Sequence, residues 1–196
     1  MLPVTLHTER LELSAPAESD VDEIFAACQD PDIQRYTTVP SPYHREDAEG
    51  FIGKTARWWA DGAEATWVMR HPDGLAGVVG LHRLGNSRGG GEIGFWMAPE
   101  FRGRGLLREA ARAVIEWGFS ERGGLGLTRI EWRAVVGNVA SARTAQALGF
   151  RYEGRLRGAL LHSSGSRDDA WVAGLLVDDD PAPQPWPVLP EGPPVA

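Results

Sequence analysis

The residues whose types and spacing most clearly indicate a chemical function form a short segment rich in glycine and arginine. Gly103 and Gly105 alternate with Arg102 and Arg104, between a predicted strand and a predicted helix. Such a turn leaves backbone N–H groups free at the helix N-terminus, where the helix dipole is positive. Glycine allows close approach to phosphate oxygens because it has no Cβ. The segment therefore predicts a pyrophosphate site, with a tight turn and solvated arginines as the alternative.

The elements around this segment are predicted from periodicity and turn residues. The strongest amphipathic pattern runs from Leu106 to Phe119, directly after the glycines. Ser19 is the predicted N-cap of the first helix, and Asp30-Pro31 is predicted to end that helix, because a residue before proline disfavours helical conformation. Other helices are predicted over 20–29, 45–59 and 141–148, and strands over 6–13, 65–70, 76–84, 92–97, 128–136, 153–157 and 170–177. The order indicates a mixed α/β domain with one βαβ unit.

The composition indicates one folded domain and a separate C-terminal end. The chain has 196 residues, of which 42% are hydrophobic and 24% charged, as in globular proteins. From Asp178 onward, prolines recur too often for a helix or a strand ladder. We therefore predict a domain over 1–177 and a mobile, proline-rich tail over 178–196.

Charge and cysteine content disfavour several classes of function. The net charge of -7 disfavours nucleic acid as a partner, because phosphate binding requires clustered basic residues. Cys28 is the single cysteine and lies on an apolar helical face, so we predict core packing for it and no metal site. The N-terminus lacks the features of a signal peptide, and no apolar run reaches the length of about 18 residues that a membrane span needs. These features predict a cytoplasmic protein.

Several segments resemble the RimJ/RimL branch of the GNAT (GCN5-related) N-acetyltransferase superfamily. The run from Arg102 to Leu107 is similar to its acyl-CoA pyrophosphate loop, Gln/Arg-x-x-Gly-x-Gly/Ala, with Leu107 at the last position. Further similar segments follow in the expected order: Thr8-Glu-Arg-Leu-Glu-Leu13 with Asp20, Glu92-Ile-Gly-Phe-Trp-Met97, Asn138-x-x-Ser141, Leu148-Gly-Phe150, Glu153-Gly154 and Asp169. Ser14 stands where that branch often has arginine. The resemblance implies the GNAT fold, a mostly antiparallel twisted sheet of six to seven strands with a splayed parallel pair and about four helices.

The resemblance also implies where acetyl-CoA binds. Its pantetheine arm is expected between the strand that ends near Met97 and the strand that begins near Thr128. Backbone groups of Met97 are expected to polarise the thioester carbonyl. The implied cofactor-binding residues are Met97, Arg102, Gly103, Arg104, Gly105, Leu106, Leu107, Asn138 and Arg143. Homodimers are common in the family that the sequence resembles.

Two side chains are candidates for proton transfer. Glu92 begins the strand beside the acyl group and is the candidate base, acting through a water, with an ion-paired glutamate as the alternative. Asp168 or Asp169 could serve instead. Ser141 matches a family position near the cofactor sulfur and is the candidate proton donor, with a helix N-cap as the alternative. A lone histidine at a strand end is usually structural, so His82 is assigned no role.

The resulting hypothesis is an acyl-CoA-dependent N-acyltransferase that moves an acetyl group to a primary amine in a ternary complex. The acceptor is either a protein N-terminal α-amine or a small-molecule amine, bound by the two N-terminal helices and the loop from Gly85 to Gly91. Succinyl-CoA or another acyl donor is one alternative. A non-catalytic CoA-binding module is the other, supported by Leu107 and by the lack of a tyrosine aligned with Ser141.

Overall fold

The computed structural model describes residues 1–86, 89–161 and 165–189, and this part holds eight strands and five α-helices. The strands are β1 (Leu6–His7), β2 (Glu12–Ser14), β3 (Ala65–His71), β4 (Gly74–His82), β5 (Gly90–Met97), β6 (Arg129–Val135), β7 (Arg151–Leu161) and β8 (Arg167–Leu176). The helices are α1 (Val21–Ala27), α2 (Pro31–Tyr36), α3 (Arg45–Asp61), α4 (Leu106–Phe119) and α5 (Val139–Ala147). The predicted mixed α/β architecture is confirmed, with one more strand and one more helix than expected.

The eight strands form one sheet with a single parallel pair among them. Their order is β1-β2-β3-β4-β5-β6-β8-β7, and only β5 and β6 run parallel, joined by the crossover helix α4. The parallel ladder extends from Gly90 opposite Arg129 to Ile93 opposite Trp132. Beyond it β5 continues along β4, whereas β6 continues along β8. The two central strands therefore separate, and a V-shaped opening begins after Ile93.

Helices cover the two faces of the sheet unequally. On one face α4 packs on β4 and β6, where Gly118 lets the helix approach closely: a Cβ there would lie 2.9 Å from Leu81 Cδ1. On the other face α1, α2 and α3 cover β3 and β4 through a second apolar cluster that includes Ile24, Val68 and Val78. Trp96 of β5 also packs against this second cluster, which therefore reaches the strand that borders the β5–β6 opening.

The predicted first strand and its helix cap are corrected by the structure. Residues 6–13 form two short strands, because the Thr8 hydroxyl and the Leu11 amide close a turn at 3.0 Å between them. Ser19 does not cap α1. It lies inside a short 3-10 turn, Glu18–Asp20, where the Asp20 carboxylate accepts a 2.7 Å hydrogen bond from the Ala17 amide.

The Asp30-Pro31 pair begins a helix that the sequence did not predict. Asp30 ends the preceding turn, as expected, but its carboxylate also caps α2 by accepting a 3.0 Å hydrogen bond from the Ile33 amide. Pro31 occupies the first helical position, where the missing N–H costs nothing. The same two residues that stop one helix therefore start the next.

The C-terminal segment packs on the domain, which corrects the prediction of a mobile tail for its described part, residues 178–189. The Trp186 side chain is only 3% exposed, and its indole Nε1 donates a 3.1 Å hydrogen bond to the Phe150 carbonyl. Its ring lies 5.5 Å from that of Trp132 and 5.6 Å from that of Tyr152. Proline does exclude a strand ladder here, but it leaves side-chain packing possible. Residues 190–196 lie outside the described residues, and the domain boundary at 177 stays a prediction.

Candidate active site

The glycine-rich turn predicted to bind pyrophosphate lies at the start of α4. Gly103 and Gly105 have φ angles of 74° and 75°, which a residue with a Cβ rarely adopts. Gly105 is the N-cap, so the first amides of α4 have no acceptor within the helix. The space around Gly103 is open, because no atom lies within 4 Å of the position that its Cβ would take. This cradle fits a diphosphate group.

The two arginines of the turn are held by neighbouring groups. Arg102 donates a 2.6 Å hydrogen bond to Asp30 Oδ1 and, through Nε, a 3.3 Å bond to the Met97 carbonyl. Burial opposes ionisation of Asp30, but the hydrogen bonds from Arg102 and from a backbone amide outweigh it and lower its pKa. The Arg104 guanidinium lies 5.2 Å from the centre of the Phe101 ring. Both arginines shape the loop, and their predicted contacts with phosphate stay predictions.

A clamp from the N-terminal turn holds the same loop, and the sequence did not assign it a role. Arg10 Nη1 donates a 2.9 Å hydrogen bond to the Arg104 carbonyl, and Arg10 Nε donates a 2.7 Å bond to Glu109 of α4. The Thr8 hydroxyl donates to the same carboxylate at 2.5 Å. Burial disfavours the charged form of Glu109, but these donors prevail and lower its pKa. The only signal in the sequence was the motif that contains Thr8 and Arg10.

The opening is bordered on one side by the end of β5. The Ala98 amide donates a 2.9 Å hydrogen bond to the Ala76 carbonyl, toward β4. Because backbone groups alternate along an extended strand, the N–H of the preceding residue, Met97, faces the opposite way, into the opening. The next residues of the motif contribute packing: Leu106 is buried, and Leu107 is half-buried against the main apolar cluster.

On the other side of the opening, Asn138 and Ser141 lie at the start of α5. Asn138 is the N-cap, and its side-chain oxygen accepts a 3.1 Å hydrogen bond from the Ser141 amide. The alternative assignment of Ser141 as the cap is therefore wrong. Its hydroxyl oxygen accepts a 3.1 Å bond from the Trp132 indole, which leaves the hydroxyl proton free to be donated. Arg143 lies half-buried on the same helix.

Glu92 lies beside the opening, among paired charges. It is opposite His82 of β4 and Glu131 of β6, so the three side chains share one face of the sheet. Its Oε2 atom lies 3.1 Å from Arg83 Nη1 and 3.6 Å from Arg133 Nε. Burial raises the pKa of Glu92, and the two arginines oppose that shift. Oε2 is buried and has no hydrogen-bond partner in the described part of the chain.

The alternative carboxylate, Asp169, is bound in a hairpin. It accepts a 2.8 Å hydrogen bond from the Gly158 amide and a 2.5 Å bond from Arg155 Nη2. These donors lower its pKa, the backbone bond most. A carboxylate held in this way is a weak base, and a catalytic role for Asp169 or for Asp168 stays a prediction.

A histidine–glutamate pair lies next to Glu92, at a site that the sequence analysis left without a function. His82 Nδ1 lies 2.8 Å from Glu64 Oε2. The imidazole ring covers Gly94: a Cβ at that glycine would lie 2.8 Å from His82 Nε2. Gly94 is the first residue of β5 beyond the parallel ladder. The two partners are far apart in sequence, and the glycine of the Glu92-Ile-Gly motif was the only signal.

Comparison with known families decides what kind of domain carries this site. Residues 10–151 match the family model of the acetyltransferase (GNAT) domain. The chain belongs to the GNAT acetyltransferase family. The resemblance inferred from the motifs is thereby confirmed, as is the enzyme class, an N-acetyltransferase.

Three similar proteins place this GNAT domain among its relatives. The N-acetyltransferase YoaA of Bacillus subtilis (strain 168) is 31% identical over 178 residues, which cover 90% of this chain and 98% of YoaA. The ribosomal-protein-serine acetyltransferase of Escherichia coli (strain K12) is 27% identical, over 87% of this chain and 95% of its own length. The solved structure of RimL, a ribosomal L7/L12 alpha-N-protein acetyltransferase in complex with coenzyme A, superposes with a TM-score of 0.79 at 20% identity, over 90% of this chain and all of RimL. The predicted GNAT fold is confirmed.

Only some of the predicted site residues of this GNAT domain lie together. The glycine turn, Met97 and Ser141 surround the β5–β6 opening, and Glu92 lies next to it. In the loop predicted to help bind the acceptor, residues 87 and 88 lie outside the described residues. Across 1–86, 89–161 and 165–189, no group of three or more His, Cys, Asp or Glu side chains is arranged to hold a metal ion. None of the helices described is both long and apolar enough to cross a membrane.

Proposed function

We propose that this protein transfers an acetyl group from acetyl-CoA to a primary amine. The observation that carries the proposal is the opening between β5 and β6, with the glycine turn at one end and Met97 and Ser141 on its two sides. A diphosphate fits the glycine turn, and an extended pantetheine arm fits the opening between the strands. The GNAT family supplies the reaction class.

The chain's own groups are proposed to bind acetyl-CoA as follows. The amide N–H groups at the start of α4 donate hydrogen bonds to the diphosphate, and the open space at Gly103 lets it approach the backbone. Arg102, Arg104 and Arg143 add positive charge, while Asn138 contacts the cofactor from α5. The Met97 N–H donates to the thioester oxygen and stabilises the negative charge that develops there.

The acceptor is proposed to be an α-amine, such as a protein N-terminus. The E. coli relative is named as an acetyltransferase of ribosomal-protein serine, which supports a peptide acceptor. An α-amine has an ordinary pKa of about 8 and is partly neutral near pH 7, whereas a lysine amine at about 10.4 is almost fully charged. The first class needs weaker base assistance. A small-molecule amine is the second candidate for the acceptor.

The transfer requires three proton movements around one substitution. The ammonium first loses a proton, and the amine lone pair then forms a bond to the thioester carbon. The C–S bond breaks as the carbonyl reforms, the nitrogen loses its second proton, and the sulfur gains one. We propose that the Ser141 hydroxyl, whose oxygen is oriented by Trp132, donates the proton to sulfur and regains a proton from solvent. Glu92 places negative charge at the acceptor side, where it attracts the ammonium or accepts its proton through a water.

The test is a thiol-release assay with acetyl-CoA against N-terminal peptides, lysine peptides, polyamines and aminoglycosides. We expect turnover with N-terminal peptides and at least a fivefold lower rate, about 1 kcal/mol in the barrier, for lysine peptides. A parallel series with succinyl-CoA tests the alternative donor, and size-exclusion chromatography tests the predicted homodimer. If acetyl-CoA binds but no amine is acetylated, the proposal of acetyl transfer is rejected in favour of a non-catalytic CoA-binding module.

A further inference from the structure

We infer that His82 accepts the proton of the amine and that Glu64 positions it. The inference rests on the proposed function, because it concerns the step in which the acceptor becomes nucleophilic. It replaces Glu92 as the proton acceptor and leaves the cofactor contacts unchanged. The arrangement that carries it is an imidazole fixed by a carboxylate at the mouth of the β5–β6 opening.

The fixed orientation of the ring is the first argument. His82 Nδ1 lies 2.8 Å from Glu64 Oε2, so the hydrogen bond directs Nε2 away from Glu64. Two glycines, Gly80 and Gly94, pair directly across β4 and β5 on the face where the ring lies. Because neither has a side chain, the imidazole can lie flat against the sheet. A carboxylate–histidine pair of this kind presents one basic nitrogen in a defined direction.

The position of Nε2 relative to the opening is the second argument. Nε2 is the ring atom nearest the Cβ position of Gly94, at 2.8 Å, and Gly94 is the first β5 residue after the parallel ladder ends. Glu92 lies two residues earlier, inside the parallel ladder, opposite His82 of β4 and Glu131 of β6. Its Oε2 atom is buried between two arginines. Nε2 makes no hydrogen bond within the described part of the chain, and the His82 side chain is 33% exposed.

Charged side chains of both signs lie around His82. Glu64 contacts it directly, and Glu92 is its partner across the β4–β5 ladder. Arg83 follows it in sequence and pairs with Glu92, and Arg133 pairs with both Glu92 and Glu131 on β6. The arginines are thus compensated by carboxylates on the neighbouring strands, and Glu64 remains as the direct partner of the imidazole. An adjacent carboxylate stabilises an imidazolium.

The proton step balances within the acceptor and the dyad. One N–H bond of the acceptor ammonium breaks, directly or through one water, and its proton forms the Nε2–H bond of an imidazolium. The nitrogen lone pair released in this way forms the new bond to the thioester carbon. After the product leaves, Nε2 returns the proton to solvent. The Glu64 carboxylate, 2.8 Å from Nδ1, balances the charge of the ring.

Three variants separate this role from a structural one. His82→Gln removes the base, Glu64→Gln removes only its orienting partner, and His7→Gln removes an exposed histidine on β1 as a matched control. Each variant is measured for kcat and kcat/KM between pH 5.5 and 9 with the best peptide acceptor. Calorimetry with acetyl-CoA measures cofactor binding, and circular dichroism reports whether each variant is folded.

We expect His82→Gln to lower kcat about 100-fold or more, with the acetyl-CoA dissociation constant unchanged. Its acid limb in the pH profile should disappear, and a small amine buffer such as imidazole should restore part of the rate. Glu64→Gln should lower kcat less, with the acetyl-CoA dissociation constant also unchanged. If His82→Gln keeps the wild-type kcat and acid limb, the dyad is not the base although the proposed function stands. If the wild type acetylates no amine, the proposed function fails first.

Discussion

Removal of the Trp186 side chain is predicted to destabilise the whole domain, although this residue belongs to the proline-rich end. The indole is 97% buried, since its exposed fraction is 3%. Truncation of a buried tryptophan to alanine typically costs about 3–5 kcal/mol, through lost packing and the cavity that remains. Single domains are stable by only about 5–15 kcal/mol. Trp186→Ala should therefore remove a large share of the free energy of unfolding.

A second variant isolates the hydrogen bond from the packing. Trp186→Phe retains an aromatic ring between Trp132 and Tyr152 but removes the donor that satisfies the Phe150 carbonyl at 3.1 Å. An unsatisfied buried acceptor costs about 1–3 kcal/mol. The phenylalanine variant should thus lie between the wild type and Trp186→Ala.

Urea unfolding followed by circular dichroism measures both effects. With a slope of about 2 kcal/mol/M, Trp186→Ala should lower the urea midpoint by about 1.5–2.5 M without changing the slope. Val177→Ala, at a side chain 46% exposed just after β8, is the control and should change stability by less than about 0.5 kcal/mol. A Trp186→Ala midpoint equal to that of the control would refute the packing of the C-terminal segment.

Three further predictions concern the glycine turn, Glu92 and Cys28. Gly105→Ala places a Cβ at a φ of 75°, which strains the backbone by about 1–3 kcal/mol. Calorimetry should therefore show about tenfold weaker CoA binding for this variant, whereas Gly50→Ala in α3 should leave CoA binding unchanged. Equal affinities of the two variants would contradict the role of the turn. Burial raises the pKa of Glu92, so ionisation of this side chain disfavours the folded state. Urea midpoints should therefore show that Glu92→Gln gains stability relative to the wild type as the pH rises from about 4 to 8. The opposite trend would mean that Arg83 and Arg133 outweigh burial. Burial raises the pKa of Cys28 to about 12, so iodoacetamide at pH 8 should label it in urea but not in the native protein, and rapid native labelling would contradict its core position.

The sequence predicted the features that depend on local patterns. The amphipathic period of α4 and the two glycines before it determined both the helix and the turn, and the structure places them as expected. Gly62 likewise ends α3 in a left-handed conformation, three residues after the predicted end of that helix at residue 59. Such features require only neighbouring residues, so periodicity and turn chemistry are sufficient to predict them.

The features that the sequence did not predict depend on partners far along the chain. Trp186 is buried by Trp132 and Tyr152, and proline content alone does not reveal that packing. His82 is oriented by Glu64, which lies in the connection between α3 and β3, and no sequence motif contains this contact. Cap assignment failed for a different reason: Ser19 and Ser141 are good caps in isolation, but Asp20 and Asn138 supply the bonds that close these turns. Competing polar residues within one turn cannot be ranked from their types alone.

Mass spectrometry of a defined N-terminal peptide after incubation with acetyl-CoA, with released thiol counted in the same sample, tests acetyl transfer to a primary amine. We expect one acetyl group on the α-amine for each CoA thiol released, and loss of both signals together when the peptide amine is blocked. Thiol release without an acetylated amine, or tight acetyl-CoA binding with neither product across all amine classes, would contradict it.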